Sequence, residues 1–115
     1  MDILKETTML ADEIAEKINE SQVYKDYKRA LERIEKDSEL MEKIRQIKQK
    51  HLEFAEERKR GINDFNKEKY ISQELYKIML NEDARTFFKN EEKLVKLVTD
   101  IYFIVSEKCS LNIFI

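Results

Sequence analysis

A chain of 115 residues with one glycine and no proline has very few ways to turn. A many-stranded sheet needs turn residues every several positions, and glycine and proline are the strongest of them. Charged residues make up 40% of the sequence, mostly Glu and Lys, and they recur at helical rather than alternating spacing. An all-α fold is therefore predicted, as a single helical domain over residues 1–115. Five helices are expected, two of them long and amphipathic, in a helical bundle that forms an intertwined or side-by-side dimer.

The longest uninterrupted periodicity runs from Asn81 to Ser106. Ala84, Phe87, Glu91, Leu94, Val98, Ile101 and Val105 alternate spacings of three and four, a heptad seam that Phe88, Val95, Tyr102 and Ile104 widen. Asn81 is placed to cap this helix, with Glu82 and Asp83 in its first turn. Such a helix spans roughly 39 Å. A compact body of this length has a diameter of about 35 Å, no greater than the helix itself.

Earlier in the chain, a first helix is read from Asp2 to Glu20. Its apolar face is Leu4, Ala11, Ile14, Ala15 and Ile18, with Ile3 and Leu10 beside it. That face should be buried and the opposite one wet. Ser21 reads as the cap of a second helix, Gln22 to Lys36, which carries Val23, Tyr27, Ala30 and Ile34, flanked by Tyr24 and Leu31. The two tyrosines read as core residues rather than a stacking platform.

Asp37 or Ser38 starts a third helix that reaches about Arg60, with Gly61 as its C′ residue. Leu40, Ile44, Ile47, His51, Phe54 and Arg58 form a second seam, roughly 35 Å long, widened by Met41, Leu52 and Ala55. Gly61 to Asn66 is the one clear loop. Phe65 before a cap at Asn66, with Tyr70 four residues on, matches a hydrophobic staple. A fourth helix, Lys67 to Leu80, uses Ile71, Leu75, Ile78 and Met79. Its separation from the fifth rests on Asn81-Glu82-Asp83 alone, so one bent helix is the alternative. The tail residues Leu111, Ile113, Phe114 and Ile115 are too apolar for an idle end and should pack on this chain or on a partner.

The 24 acids and 22 bases leave a net charge of −2, too balanced to attract nucleic acid or an acidic membrane by a global field. One cysteine excludes an internal disulfide and suits a reducing compartment. The opening Met-Asp-Ile-Leu-Lys-Glu lacks the basic and apolar regions of a secretory signal. The apolar run Ile101 to Val105 is far short of the ~20 residues of a spanning helix. A cytoplasmic location without membrane contact is expected.

Catalytic chemistry has little to stand on. His51 and Cys109 each occur once, and a structural zinc site asks for four N/S ligands at local spacing. No Gly-x-Ser-x-Gly, phosphate-cradling loop or His-Glu-x-x-His is present. Cys109 reads as a partly buried small side chain and His51 as a core or interface histidine. The acids sit at helix-surface spacing, where ion pairs such as Glu39 with Lys43 explain them; Glu53 and Glu57, both acidic, have no such pairing with each other. No enzyme is expected, and no catalytic, metal or cofactor site. Arg58-Lys59-Arg60, with Lys48 and Lys50 earlier, is the one basic patch, and bases at a helix C-terminus are favoured without any ligand.

Ser21-x-x-Tyr24-x-x-Tyr27-x-x-Ala30, Asp37-Ser38-x-Leu40-Met41, the helix end from Phe54 to Gly61, and Phe87-Phe88-x-x-Glu91-x-x-Leu94 leading into Val98-x-x-Ile101 follow one another over nearly the whole chain. In order, spacing and length they resemble the YlbF/YmcA-like family of small bacterial helical regulators, especially its short YheA-like branch. The resemblance implies an all-helical protein that associates with itself or with family relatives. Some members regulate competence, biofilm formation and sporulation. The best-studied pair joins a third protein in a complex that steers a membrane-anchored endoribonuclease, and hence mRNA processing. That complex is associated with iron–sulfur clusters, and relatives in it can carry a cysteine-rich C-terminal tail. Here Cys109 stands alone, where a cluster wants several thiolates.

The expected function is thus that of a non-enzymatic regulatory adaptor. Its partners are expected to be a second copy, family relatives or another regulatory protein. A homodimer should rest on the third and fifth helices, through Leu40, Ile44, Ile47, His51, Phe54, Phe87, Leu94, Val98, Ile101 and Val105. The alternatives are a direct RNA-binding module that uses Arg58, Lys59 and Arg60, and, more distantly, a redox or metal sensor through Cys109.

Overall fold

The computed structural model describes residues 2–109, and these are helical with short connections. The helices are α1 (Ile3–Glu20), α2 (Gln22–Glu35), α3 (Ser38–Lys59), α4 (Phe65–Ile78) and α5 (Glu82–Lys108). The expected packing of Leu111, Ile113, Phe114 and Ile115 lies outside the described residues. Two compact units divide the chain: Met1–Arg29 with Lys89–Ile115, and Ala30–Phe88. Both α2 and α5 pass from one unit into the other.

Side-chain caps set most of the helix starts. Asp2 Oδ1 accepts from the Leu4 amide at 3.0 Å, Ser21 Oγ from Tyr24 at 3.2 Å and Asp37 Oδ1 from Leu40 at 3.1 Å. Each bond satisfies an amide that the first turn leaves open. Asp37, rather than Ser38, is therefore the cap of α3. The start of α4 differs from the staple expected at Asn66. Asp64 Oδ1 accepts from the Lys67 amide at 3.0 Å, so the helix begins at Phe65 and Asn66 lies inside it. An acid outranks the later asparagine because its charge also meets the helix dipole. Phe65, the expected staple residue, is 76% exposed.

α3 ends in a Schellman turn. The Ile62 amide donates to the Glu57 carbonyl at 2.9 Å and the Gly61 amide to the Arg58 carbonyl at 3.0 Å. Gly61 holds φ +81°, the left-handed region that only glycine enters freely. A Cβ added there would meet nothing within 4 Å, so strain in the backbone is the whole effect of a substitution. Gly61→Ala should lower stability by about 1–2 kcal/mol, read as a shifted urea midpoint with unchanged slope.

Helices α4 and α5 are separate. The Leu80 and Asn81 amides donate to carbonyls three residues back, at 3.2 and 3.0 Å, which tightens the end of α4. Asn81 Oδ1 then accepts from the Ala84 amide at 3.0 Å, and Arg85 Nη1 donates to the Met79 carbonyl at 2.8 Å. Open carbonyls of one helix and open amides of the next are thus satisfied without glycine or proline.

The second unit holds the buried core. Ala30 and Ile34 of α2, Leu40, Ile44 and Ile47 of α3, Ile71 and Ile78 of α4, and Ala84 and Phe87 of α5 make it up. α3 and α4 form a hairpin, and Lys67 reaches back from α4 to Glu57, and to Glu53 at 3.8 Å. Two acids one turn apart on α3, with no mutual pairing, thus share a lysine from the neighbouring helix. The Glu57 hydrogen bond and the flanking carboxylates raise Lys67 above the ordinary lysine range. A raised pKa stabilises the fold fully below the unfolded lysine value of about 10.4, and the gain is lost as pH climbs through the folded value. Wild type should therefore exceed Lys67→Met in urea resistance at about pH 8, and the gap should narrow as pH rises past the unfolded lysine value of about 10.4. A gap that persists at the alkaline end would show that Lys67 acts by packing.

The sequence expectation for α1 is the one most altered. None of its residues is buried. Ile3, Leu4, Leu10 and Ile14 are 74%, 69%, 58% and 40% exposed, and Ile18 is half-buried. The amphipathic pattern is real, but the rest of the chain leaves its apolar side uncovered.

Candidate association surface

The first unit presents this uncovered side beside the distal part of α5. There Val95, Val98, Phe103, Ile104 and Val105 are 58%, 48%, 50%, 57% and 51% exposed, with Tyr102 at 40%. The α5 seam thus changes along its length. Ala84 and Phe87 are buried, Glu91, Leu94 and Ile101 half-buried, and Val98 and Val105 exposed. Between α1 and α5 runs an open groove of about 640 Å³. Leu10, Glu13, Ile14, Lys17, Ile18 and Ser21 line it on one side, Leu97 and Ile101 on the other. Contiguous exposed apolar surface of this kind marks sites of association.

The third-helix residues expected at an interface lie elsewhere. Leu40, Ile44 and Ile47 are 8%, 2% and 6% exposed and are already covered within the second unit. His51, expected in the core or an interface, is exposed, as are Leu52 and Arg58, while Phe54 is half-buried. α4 lies instead over the stripe containing Lys43, Ile47, Lys50 and Glu53. Cys109, expected to be partly buried, is exposed just beyond α5.

Most of the bases in the expected patch have ring partners. The Lys48 ammonium stands 5.5 Å from the Phe87 ring centre and 5.9 Å from that of Phe88. Lys50 stands 5.8 Å from Tyr70, and the Arg58 guanidinium 5.7 Å from Phe54. These cation–π contacts use the positive charge inside the second unit. Sequence spacing misses them, because the rings over Lys48 and Lys50 come from α4 and α5. Among the described residues no group of three or more His, Cys, Asp or Glu is placed to hold a metal, and no helix is long and apolar enough to cross a membrane.

By fold and surface this is a small all-α protein whose open feature is an apolar two-helix face. The family model described as control of competence regulator ComK, YlbF/YmcA, matches residues 8–110, and the chain belongs to that family. A UPF0342 protein of Caldicellulosiruptor saccharolyticus is 35% identical over 104 residues, covering 90% of this chain and 87% of the relative. A UPF0342 protein of Caldicellulosiruptor bescii is 34% identical over 99 residues, covering 85% and 83%.

Proposed function

We propose that this protein is a non-enzymatic regulatory adaptor that acts through helix-mediated association, first with a second copy of itself. The observation that carries the reading is α1, an amphipathic helix of 18 residues with none buried. A helix of that length is marginal in water by itself and is held by covering its apolar side. Each Leu, Ile or Phe fully buried contributes about 1.5–3 kcal/mol, and the half-exposed side chains of α1 and distal α5 supply several such contributions. Their sum is enough to offset the ~4–15 kcal/mol cost of association.

Membership in a family described by control of the competence regulator supports a regulatory role. Control of competence, biofilm formation or sporulation through mRNA processing is the finer form of this proposal, and the YheA-like branch its finer placement. A tagged chain captured from its native cytoplasm should bring down a second copy together with a family relative or another regulator. Recovery of no protein other than the chain itself would count heavily against an adaptor. RNA contact through Arg58, Lys59 and Arg60 is the competing reading, and the ring contact of Arg58 leaves it weaker. Phosphate contacts must weaken steeply with salt, so RNA binding with a steep salt slope would favour it over the adaptor.

A further inference from the structure

The groove of the first unit carries two charged side chains among apolar ones. Glu13 and Lys17 lie one turn apart on α1, and both line it beside Leu10, Ile14 and Ile18. Neither has an ion pair or hydrogen bond to another side chain among the described residues. An occupant that seals this groove takes both charges out of water, and one that offers a base and an acid at matching spacing keeps both paired.

A second copy of the same surface meets that condition in only one sense. Homo-oligomers close most often through a two-fold axis, with one surface packed on itself. If the two copies of α1 ran parallel, Glu13 would face Glu13 and Lys17 would face Lys17. Run antiparallel about a point near Ile14 and Ala15, each Glu13 meets Lys17 of the second copy, and the pair forms twice. The same register sets Leu10 beside Ile18 of the second copy. Both pairings then lie within about 3 Å of level, from 1.5 Å of rise per residue.

We infer that the α1–α5 groove is a self-docking site in which two copies of α1 run antiparallel, Glu13 of each paired with Lys17 of the other. The inference rests on the association reading above and adds its register and its charge code. An ordinary intrahelical pair between residues four apart would use the same two side chains, so the test separates the two.

Sedimentation equilibrium of wild type, E13K, K17E and an equimolar mixture of the two variants decides it. Wild type should dimerise, and each variant alone should dimerise about tenfold more weakly, because like charges then meet twice per dimer. In the mixture, both groove lysines of the E13K chain face both groove glutamates of the K17E chain. The mixed dimer should therefore regain wild-type affinity and exceed its statistical half, as counted by capture through a tag on one variant. Variants that dimerise as tightly as wild type, or a mixture that stays statistical, would overturn the charge code and leave self-association standing. A wild-type chain that is monomeric at micromolar concentration would overturn both.

Discussion

Val98→Asp should leave the chain folded and abolish the self-association proposed above. Val98 is 48% exposed, so a carboxylate there stays hydrated in the separate chain, and stability should change by less than about 1 kcal/mol. Closed against a second copy, the same carboxylate is buried without a partner, at a cost of several kcal/mol. Two-fold symmetry makes it act twice, so the dissociation constant should rise by a factor on the order of a thousand or more. Ile14→Asp, at 40% exposure on α1, should behave alike. Circular dichroism checks the fold and sedimentation the association. A folded variant that dimerises as wild type would place the interface elsewhere. Ile101 is a poorer probe because it is half-buried within the chain, where an acid disturbs folding as well.

The largest loss of stability is expected from Ile34→Ala. Ile34 has no exposed surface at all, and it sits where α2 enters the second unit's core. Removing its outer carbons loses their transfer energy and leaves a cavity, together about 2–5 kcal/mol. For a domain stable by ~5–15 kcal/mol that is a large share, visible as a marked fall in the urea midpoint. Leu52→Ala is the control, since Leu52 is 67% exposed and should shift the midpoint by no more than about 0.5 kcal/mol. Comparable losses at the two sites would show that the buried core is not centred on Ile34.

Local chemistry was legible in the sequence because it depends on residues a few positions apart. Gly61 had to end α3, since its positive φ admits almost nothing else, and Ser21 and Asn81 cap as their side chains allow. The Glu39–Lys43 pair stands at 3.4 Å, as four-residue spacing on one helix face requires. The all-α class and the five helices follow from the same local rules. The start of α4 was misplaced by two residues because Asp64 and Asn66 are both able to cap, and the choice is a competition between them.

What the sequence alone determined is which faces are apolar; what covers each face was decided by the tertiary structure. Each seam looked uniform along its length, yet Leu40, Ile44, Ile47, Ala84 and Phe87 are buried while His51, Arg58, Val98 and Val105 are exposed. α1 carried as clear an apolar face as any, and the chain leaves it open. Periodicity fixes the direction of a side chain around its own helix, whereas burial depends on a neighbour brought close by residues far away in the chain. Lys67 between Glu53 and Glu57, and Lys48 over Phe87 and Phe88, join separate helices in the same way. Such contacts exist only once the helices have packed, and so do the open face of α1 and the groove beside it.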